Sequence, residues 1–180
     1  MDITKLKFTK LQNEIFRILC IKAGLKLNQR EISNILNVSP TAIAKALPLL
    51  KKEEIIKIEK EHKVNLNLIS FNRDFEKAIF LKRVENLKMV YESGIVQFLY
   101  NHLPGSTIIL FGSYSKGEDV FNSDIDLAVI GYKEKNLNLE EFNKKLGRII
   151  NINYYSSWNI NKNLKNNLLN GITLVGGIEI

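Results

Sequence analysis

Apolar residues recur at helical spacing through the first third of the chain. Phe8, Leu11, Ile15, Ile18 and Leu19 mark one face of an amphipathic helix over residues 8–23, with Gly24 as its stop. A second stretch carries Ile32, Ile35 and Leu36 behind Asn28, a side chain suited to cap it. After a turn at Asn37-Val38, Ser39 and Pro40 open a third helix whose inner face is Ile43, Ala46, Leu47 and Leu50. Pro48 removes the bond to the Ala44 carbonyl, so a kink or an early end is expected there. The period then changes to two. Ile56 and Ile58, then Val64, Leu66 and Leu68 after a turn at 59–63, alternate with polar residues and predict a two-stranded hairpin. Residues 71–92 return to helical spacing. Phe75 and Ile79, then Phe80, Val84, Leu87 and Tyr91, form its apolar stripe, and Lys77, Lys82, Arg83 and Lys88 lie largely away from it. The stripe suits packing between two domains or pairing with a second copy as a homodimer. Ser93-Gly94 interrupts this helix, placing a domain boundary near residue 93.

The second half reads differently. Ile95, Phe98 and Leu99 open a helix that Pro104-Gly105 ends. Thr107–Phe111 and Ile125–Ile130 are short, β-branched-rich runs bounded by Gly, Ser and Asn, which predicts two buried strands. A polar loop follows over Gly131–Asn138, then a short helix at Leu139–Leu146 and a third strand at Arg148–Tyr155. A helix over Asn159–Asn170, stopped by Gly171, and a last strand at Ile172–Val175 close the chain.

Composition narrows the class. Hydrophobic residues at 45% and charged residues at 25% of 180 positions describe a soluble globular protein of one domain or two small ones. No apolar run approaches the ~20 residues that span a membrane, and the first residues lack a signal-peptide apolar stretch, so a cytoplasmic location without a membrane partner is expected. The single Cys20 leaves no internal disulfide framework and no cysteine-based zinc site. Charge is uneven. Residues 1–90 hold 18 Lys and Arg against 10 Asp and Glu, while residues 91–180 hold 8 against 9. The whole net charge of +7 therefore belongs to the first half, which points to a polyanion partner there.

Candidate chemistry concentrates between the two buried strands. Gly112-Ser113 stands at the end of the first, and Asp124-Ile125-Asp126 at the start of the second, ten residues later. Side chains two apart on a strand project to one side, so Asp124 and Asp126 face together. Two carboxylates so close repel unless a cation lies between them, and a hard divalent ion, Mg²⁺ or Mn²⁺, is the expected occupant. Gly112 admits a bulky anion close to the backbone, and Ser113 offers a hydroxyl. A phosphate turn facing a metal-binding pair suits a nucleoside triphosphate (NTP).

This spacing resembles the nucleotidyltransferase superfamily of the DNA polymerase β type, most closely its minimal members. The likeness extends to Lys116-Gly117-Glu118 and to Ser123 before the first Asp, and covers roughly Ile95 onward, about half of the chain. It implies a mixed sheet with helices on one face, catalytic and metal-binding roles for Asp124 and Asp126, and nucleotide contacts from Gly112, Ser113 and Lys116. It further implies transfer of a nucleoside monophosphate to an acceptor hydroxyl. In antitoxin-type minimal nucleotidyltransferases that acceptor is a tyrosine on a toxin, so the resemblance adds a partner protein such as a toxin. The family pattern breaks on the third strand. Its active members carry a third carboxylate there, and alignment on Gly147-Arg148 puts Asn151 in that position, with Asn153 next on the same face. An amide takes no proton and neutralises no second cation. Glu118 is a candidate replacement from the loop.

Three tightly joined helices and a hairpin resemble a winged helix-turn-helix of the archaeal and bacterial transcription-regulator type. The resemblance implies double-stranded DNA as partner, with residues 28–36 as positioning helix and 39–52 as recognition helix. Thr41, Ala44 and Lys45 then face a major groove. Arg30, Lys51 and Lys52, with Lys60, Lys63 and His62 on the wing, then face phosphates. The expected fold class is α+β in three parts: residues 1–70 as the DNA-binding domain, 71–93 as a bridging helix, and 94–180 as the nucleotidyltransferase-like domain. Two function classes remain open, a DNA-tethered nucleotidyltransferase and a regulator that senses nucleotide or grips a partner without turnover.

Overall fold

The computed structural model describes residues 8–61 and 66–178. The chain divides into two compact units, Met1–Lys82 and Arg83–Ile180, so the division falls inside the helix read as the bridge.

The first unit opens with α1 (Lys10–Ile21), a two-residue strand β1 (Leu27–Asn28), α2 (Gln29–Leu36) and α3 (Pro40–Lys52). Their starts follow local chemistry. Thr9 and Gln12 form a capping box for α1, Asn28 and Glu31 form one for α2, and the Ser39 side chain accepts from the Ala42 N–H ahead of α3. Pro48 does not end α3, which runs on to Lys52. Ala44 and Pro48 both lie on the exposed face, so the carbonyl that loses its bond is open to solvent. Ile43, Leu47 and Leu50 meanwhile hold the helix to a core with Ile15, Leu19, Ile32, Ile55 and Ile69, none more than 3% exposed. Each such side chain contributes roughly 1.5–3 kcal/mol of burial, more than the lost hydrogen bond costs.

The hairpin is β2 (Ile56–Glu61) and β3 (Leu66–Phe71), with β1 added beyond β3 in a three-stranded antiparallel sheet. β2 continues through Glu61, so the expected turn at 59–63 is in part ladder, with Lys60 opposite Asn67. The inner face also differs from the alternation read at 64–68. Ile56 pairs Phe71 and Ile58 pairs Ile69, and Ile69 and Phe71 are buried while Leu66 is exposed. His62, Lys63 and Val64 lie outside the described residues.

The long helix is α4 (Glu76–Ser93). The stripe of large apolar residues stands outward: Phe80, Val84 and Tyr91 are at least half exposed. The buried face is Ala78, Lys82, Asn86, Met89 and Val90, so Lys82 is inside rather than with the solvated cations.

In the second unit α5 (Ile95–His102) leads to β4 (Thr107–Phe111), the one-turn helix α6 (Gly112–Lys116) and β5 (Ile125–Ile130). Then come α7 (Glu140–Leu146), β6 (Ile150–Tyr155), α8 (Lys162–Leu169) and β7 (Ile172–Val175). The sheet order is β6-β5-β4-β7, with β5 and β6 parallel and the other pairs antiparallel, a mixed sheet as expected. Both of its faces are covered, not one. Ile109, Ala128 and Ile130 pack with Leu168 of α8, while Ile108, Leu110, Leu127 and Val129, on the opposite face by alternation, are no more than 1% exposed. Burial on both sides is why β4 and β5 read as continuous apolar runs.

Candidate functional site

The β4–β5 ladder builds the site. Phe111 pairs with Asp126, so the chain leaves β4 at Gly112 directly beside the Asp124–Asp126 end of β5. Gly112 has φ +75°, and a Cβ there would stand 2.8 Å from Asp126 Oδ2. The glycine is therefore required twice, for its backbone conformation and for the carboxylate packed against it. Ser115 Oγ donates to the Gly112 carbonyl at 2.8 Å and fixes the turn. Ser113 is half-buried at the start of α6. Lys116 is exposed one turn later, on the face it shares with Gly112. Asp124 is exposed and Asp126 half-buried.

β6 completes the cluster from the other side. It runs parallel to β5 and sets Asn151 opposite Asp126. Asn151 Nδ2 donates to Asp124 Oδ2 at 3.0 Å. The position where the resemblance calls for a third carboxylate is thus filled by an amide already bonded to the first. Glu118 is exposed, and its backbone N–H donates to the Ser113 carbonyl at 3.0 Å. Gly112, Asp124, Asp126 and Asn151 converge, then, with Ser113 adjoining. Carboxylate oxygens beside a glycine turn are a donor set suited to a divalent ion and phosphate oxygens.

Three residues that sequence reasoning passed over hold the loop between the two motif halves. Arg148 is buried and its Nη2 lies 3.4 Å from Asp119 Oδ2, with side chains 3% and 1% exposed. Its Nη1 bonds the Phe121 carbonyl. Asn86 Nδ2 donates to Asp119 Oδ1 at 2.7 Å and to the Tyr114 carbonyl at 2.9 Å. This pin ties α4, α6, the loop and the start of β6 together, just before Asp124. Arg148 entered the sequence reading only as an alignment mark at the start of the expected third strand, and a lone Asp in a loop carries no periodic signal.

In the first unit Arg30, Thr41, Ala44, Lys45, Lys51, Lys52 and Lys60 are all exposed. Arg30 lines a shallow hollow with Pro40 and Asn67, and Asn67 faces Lys60 across the ladder. Arg30, the start of α3 and the wing strand therefore share one surface. Lys51 and Lys52 are in the last turn of α3, ~15 Å along the helix from Thr41, where their charge also complements the helix dipole. Lys63 lies outside the described residues. Lys26 and Lys57 are engaged elsewhere, with Glu59 and Asp74.

Residues 93–176 match the sequence model of the family described as polymerase beta, nucleotidyltransferase, a little under half of the chain. No curated protein matches the chain. Among solved structures, a mutant of Lactococcus lactis ZitR aligns at 24% identity with TM-score 0.43, covering 57% of this chain and 66% of that one. A ZitR mutant in complex with DNA aligns at 24% and 0.43, over 58% and 68%. The adhesin competence repressor AdcR of Streptococcus pyogenes aligns at 18% and 0.42, over 53% and 68%. This chain spans about two thirds of the length of those regulators. The winged helix rests on its own three helices and three-stranded sheet. Among the described residues, no helix is long and apolar enough to cross a membrane.

Proposed function

From a chain that joins a winged helix-turn-helix to a nucleotidyltransferase domain of the polymerase β type, we propose a DNA-binding regulator that transfers nucleotides. Its second unit moves a nucleoside monophosphate from an NTP to an acceptor hydroxyl. The observation that carries this reading is the convergence of Gly112, Asp124 and Asp126, with the Gly112 turn so close to Asp126 that no side chain fits between them. Asp124 and Asp126 would hold Mg²⁺ or Mn²⁺, which when bound neutralises charge on the phosphate oxygens. Gly112 and Ser113 bind the triphosphate, and Lys116, one turn on, adds a positive charge. The acceptor oxygen bonds the α-phosphorus, the bond from that phosphorus to the β-bridging oxygen breaks, and pyrophosphate leaves. Asn151 has no capacity for the hydroxyl proton, which passes to water. Positioning and electrostatics then supply most of the acceleration.

The first unit anchors the protein to double-stranded DNA, with Arg30, Thr41 and Lys45 on the approach surface and Lys60 on the wing. The acceptor includes a hydroxyl on a partner protein, as in the antitoxin-type relatives. A second reading is favoured by one contact, the bond from Asn151 to Asp124. It satisfies a carboxylate without a cation, which suits a site that senses nucleotide and regulates through it without turnover.

The test is transfer of α-phosphate label from each of the four ribonucleoside triphosphates. Purified protein, Mg²⁺ or Mn²⁺ and cell extract as acceptor source are compared with the Asp124→Asn, Asp126→Asn double variant. Label incorporated by the native chain alone supports transfer. Metal-dependent nucleotide binding with no incorporation supports the sensing reading.

A further inference from the structure

Beside Asp124, on the side away from Gly112, lies a largely apolar groove of about 490 Å³. Among its lining residues are Phe121, 42% exposed, and Ile149, 60% exposed, with Asp124, Glu140, Asn143 and Lys144. Two large apolar side chains this exposed in one groove present area that an occupant would cover.

We propose that this groove is the nucleobase subsite, with Phe121 and Ile149 clasping the base of the bound NTP; this rests on the nucleotidyltransferase reading above. The argument begins from sheet order. β4, β5 and β6 lie side by side, so Gly112, the carboxylates and Ile149 follow one another across the sheet. A triphosphate lying against Gly112 and Ser113 with its α-phosphate at the carboxylates directs its ribose and base onward, away from β4. The groove begins at that point, because Asp124 belongs to both.

The walls are held rigid. Arg148 Nη1 bonds the Phe121 carbonyl, and the Ile149 carbonyl accepts from the Ile125 N–H at 2.8 Å. Phe121 is thereby tied to Arg148, and Ile149 to Ile125, the first residue of β5. A planar heterocycle offers two faces, one for the Phe121 ring and one for the Ile149 side chain. Stacking of this kind tolerates any base; Asn143, also in the lining, accepts from the Ile150 N–H through Oδ1 at 3.0 Å and holds the start of β6.

Calorimetric titration in Mg²⁺ tests this with ATP, GTP and inorganic tripolyphosphate as probes. The native chain is compared with Phe121→Ala, Phe121→Tyr and Ile149→Ser. Phe121→Ala is expected to weaken both nucleotides by roughly 5- to 150-fold, the equivalent of losing one base–aromatic stack. Tripolyphosphate binding is expected to stay at the native value, which also reports an intact fold. Phe121→Tyr should keep nucleotide affinity, and Ile149→Ser should lower it in the same direction. Nucleotide affinity within twofold of native in Phe121→Ala overturns the inference alone. If a raised KM for acceptor accompanies that result, the groove belongs to the acceptor. A native chain that binds neither nucleotide nor tripolyphosphate overturns the proposed function along with it.

Discussion

Replacing Asn151 by Asp tests how this site works. The side chain keeps its shape, and the only change at the contact is that a donor becomes an anion. Asn151 Nδ2 now stands 3.0 Å from Asp124 Oδ2. Two unit charges at that separation repel by ~1.4 kcal/mol in water and ~5.5 kcal/mol at an effective dielectric of 20. Both side chains are exposed, so the lower figure applies. In a unit of about 100 residues, 1 kcal/mol moves the melting point by roughly 4–8 °C, so Asn151→Asp in chelator should melt about 6–11 °C below native. Added Mg²⁺ should reverse the loss, because three carboxylates then share a cation. If the new carboxylate also takes the acceptor proton, label transfer should rise by ~10²–10⁴-fold. Scanning fluorimetry with and without Mg²⁺, beside the transfer assay, reads both effects. A variant that melts at the same temperature in chelator and in Mg²⁺, and transfers no faster than native, would refute the placement of Asn151 at the third-carboxylate position.

Four further outcomes follow from the same structure. Gly112→Ala should cost about 1–2 kcal/mol from its left-handed backbone alone. Urea denaturation reads that loss, and triphosphate binding should fall with it because the new methyl meets Asp126. Arg148→Ala takes the guanidinium from buried Asp119, which keeps its bond from Asn86, and costs roughly 3–5 kcal/mol; unchanged stability would show that Arg148 does not hold the loop. DNA affinity should fall steeply with salt, and each of Arg30→Ala and Lys45→Ala, if its residue meets a phosphate, should lower the slope of log affinity against log salt by ~0.9. The paired Lys51→Ala, Lys52→Ala change should weaken binding too, and a flat salt dependence counts against any DNA role. Hydrogen bonds from Lys77 to Glu53, from Lys26 to Glu59 and from Lys57 to Asp74 hold those carboxyls below their ordinary values. Carboxyls depressed by folding stabilise the native state above their unfolded pKa values and lose that contribution as pH falls through the folded ones. Denaturation midpoints should therefore hold from neutrality to about pH 5 and decline below it, more gently in Lys77→Met.

What the sequence disclosed depended on burial. β4 and β5 were read to the residue, because strands covered on both faces are unbroken β-branched runs between Gly, Ser and Asn. The Gly112–Asp126 spacing was legible for a related reason, since the motif halves are the ends of those two strands. β1 was invisible at two residues, its Leu27 indistinguishable from a loop residue until β3 pairs with it. On α4 the stripe of large apolar residues is not the side that packs within the chain. Phe80 and Val84 face outward while Lys82 and Asn86 are inside, and periodicity cannot foresee a helix that buries polar groups among partners distant in sequence. The Asn86–Asp119–Arg148 pin was hidden for the same reason, being assembled from three elements spread over more than sixty residues.

The central claim is that Asp124 and Asp126 hold a divalent ion shared with the phosphates of an NTP beside Gly112. Melting of the protein in buffer, in Mg²⁺, in a non-hydrolysable NTP analogue and in both together tests it most directly. Saturation at a hundred times the dissociation constant stabilises by ~2.7 kcal/mol. A rise of several degrees should therefore appear with both ligands, little with either alone, and none in the Asp124→Asn, Asp126→Asn variant. An equal rise without Mg²⁺, or the same rise in the double variant, would contradict it.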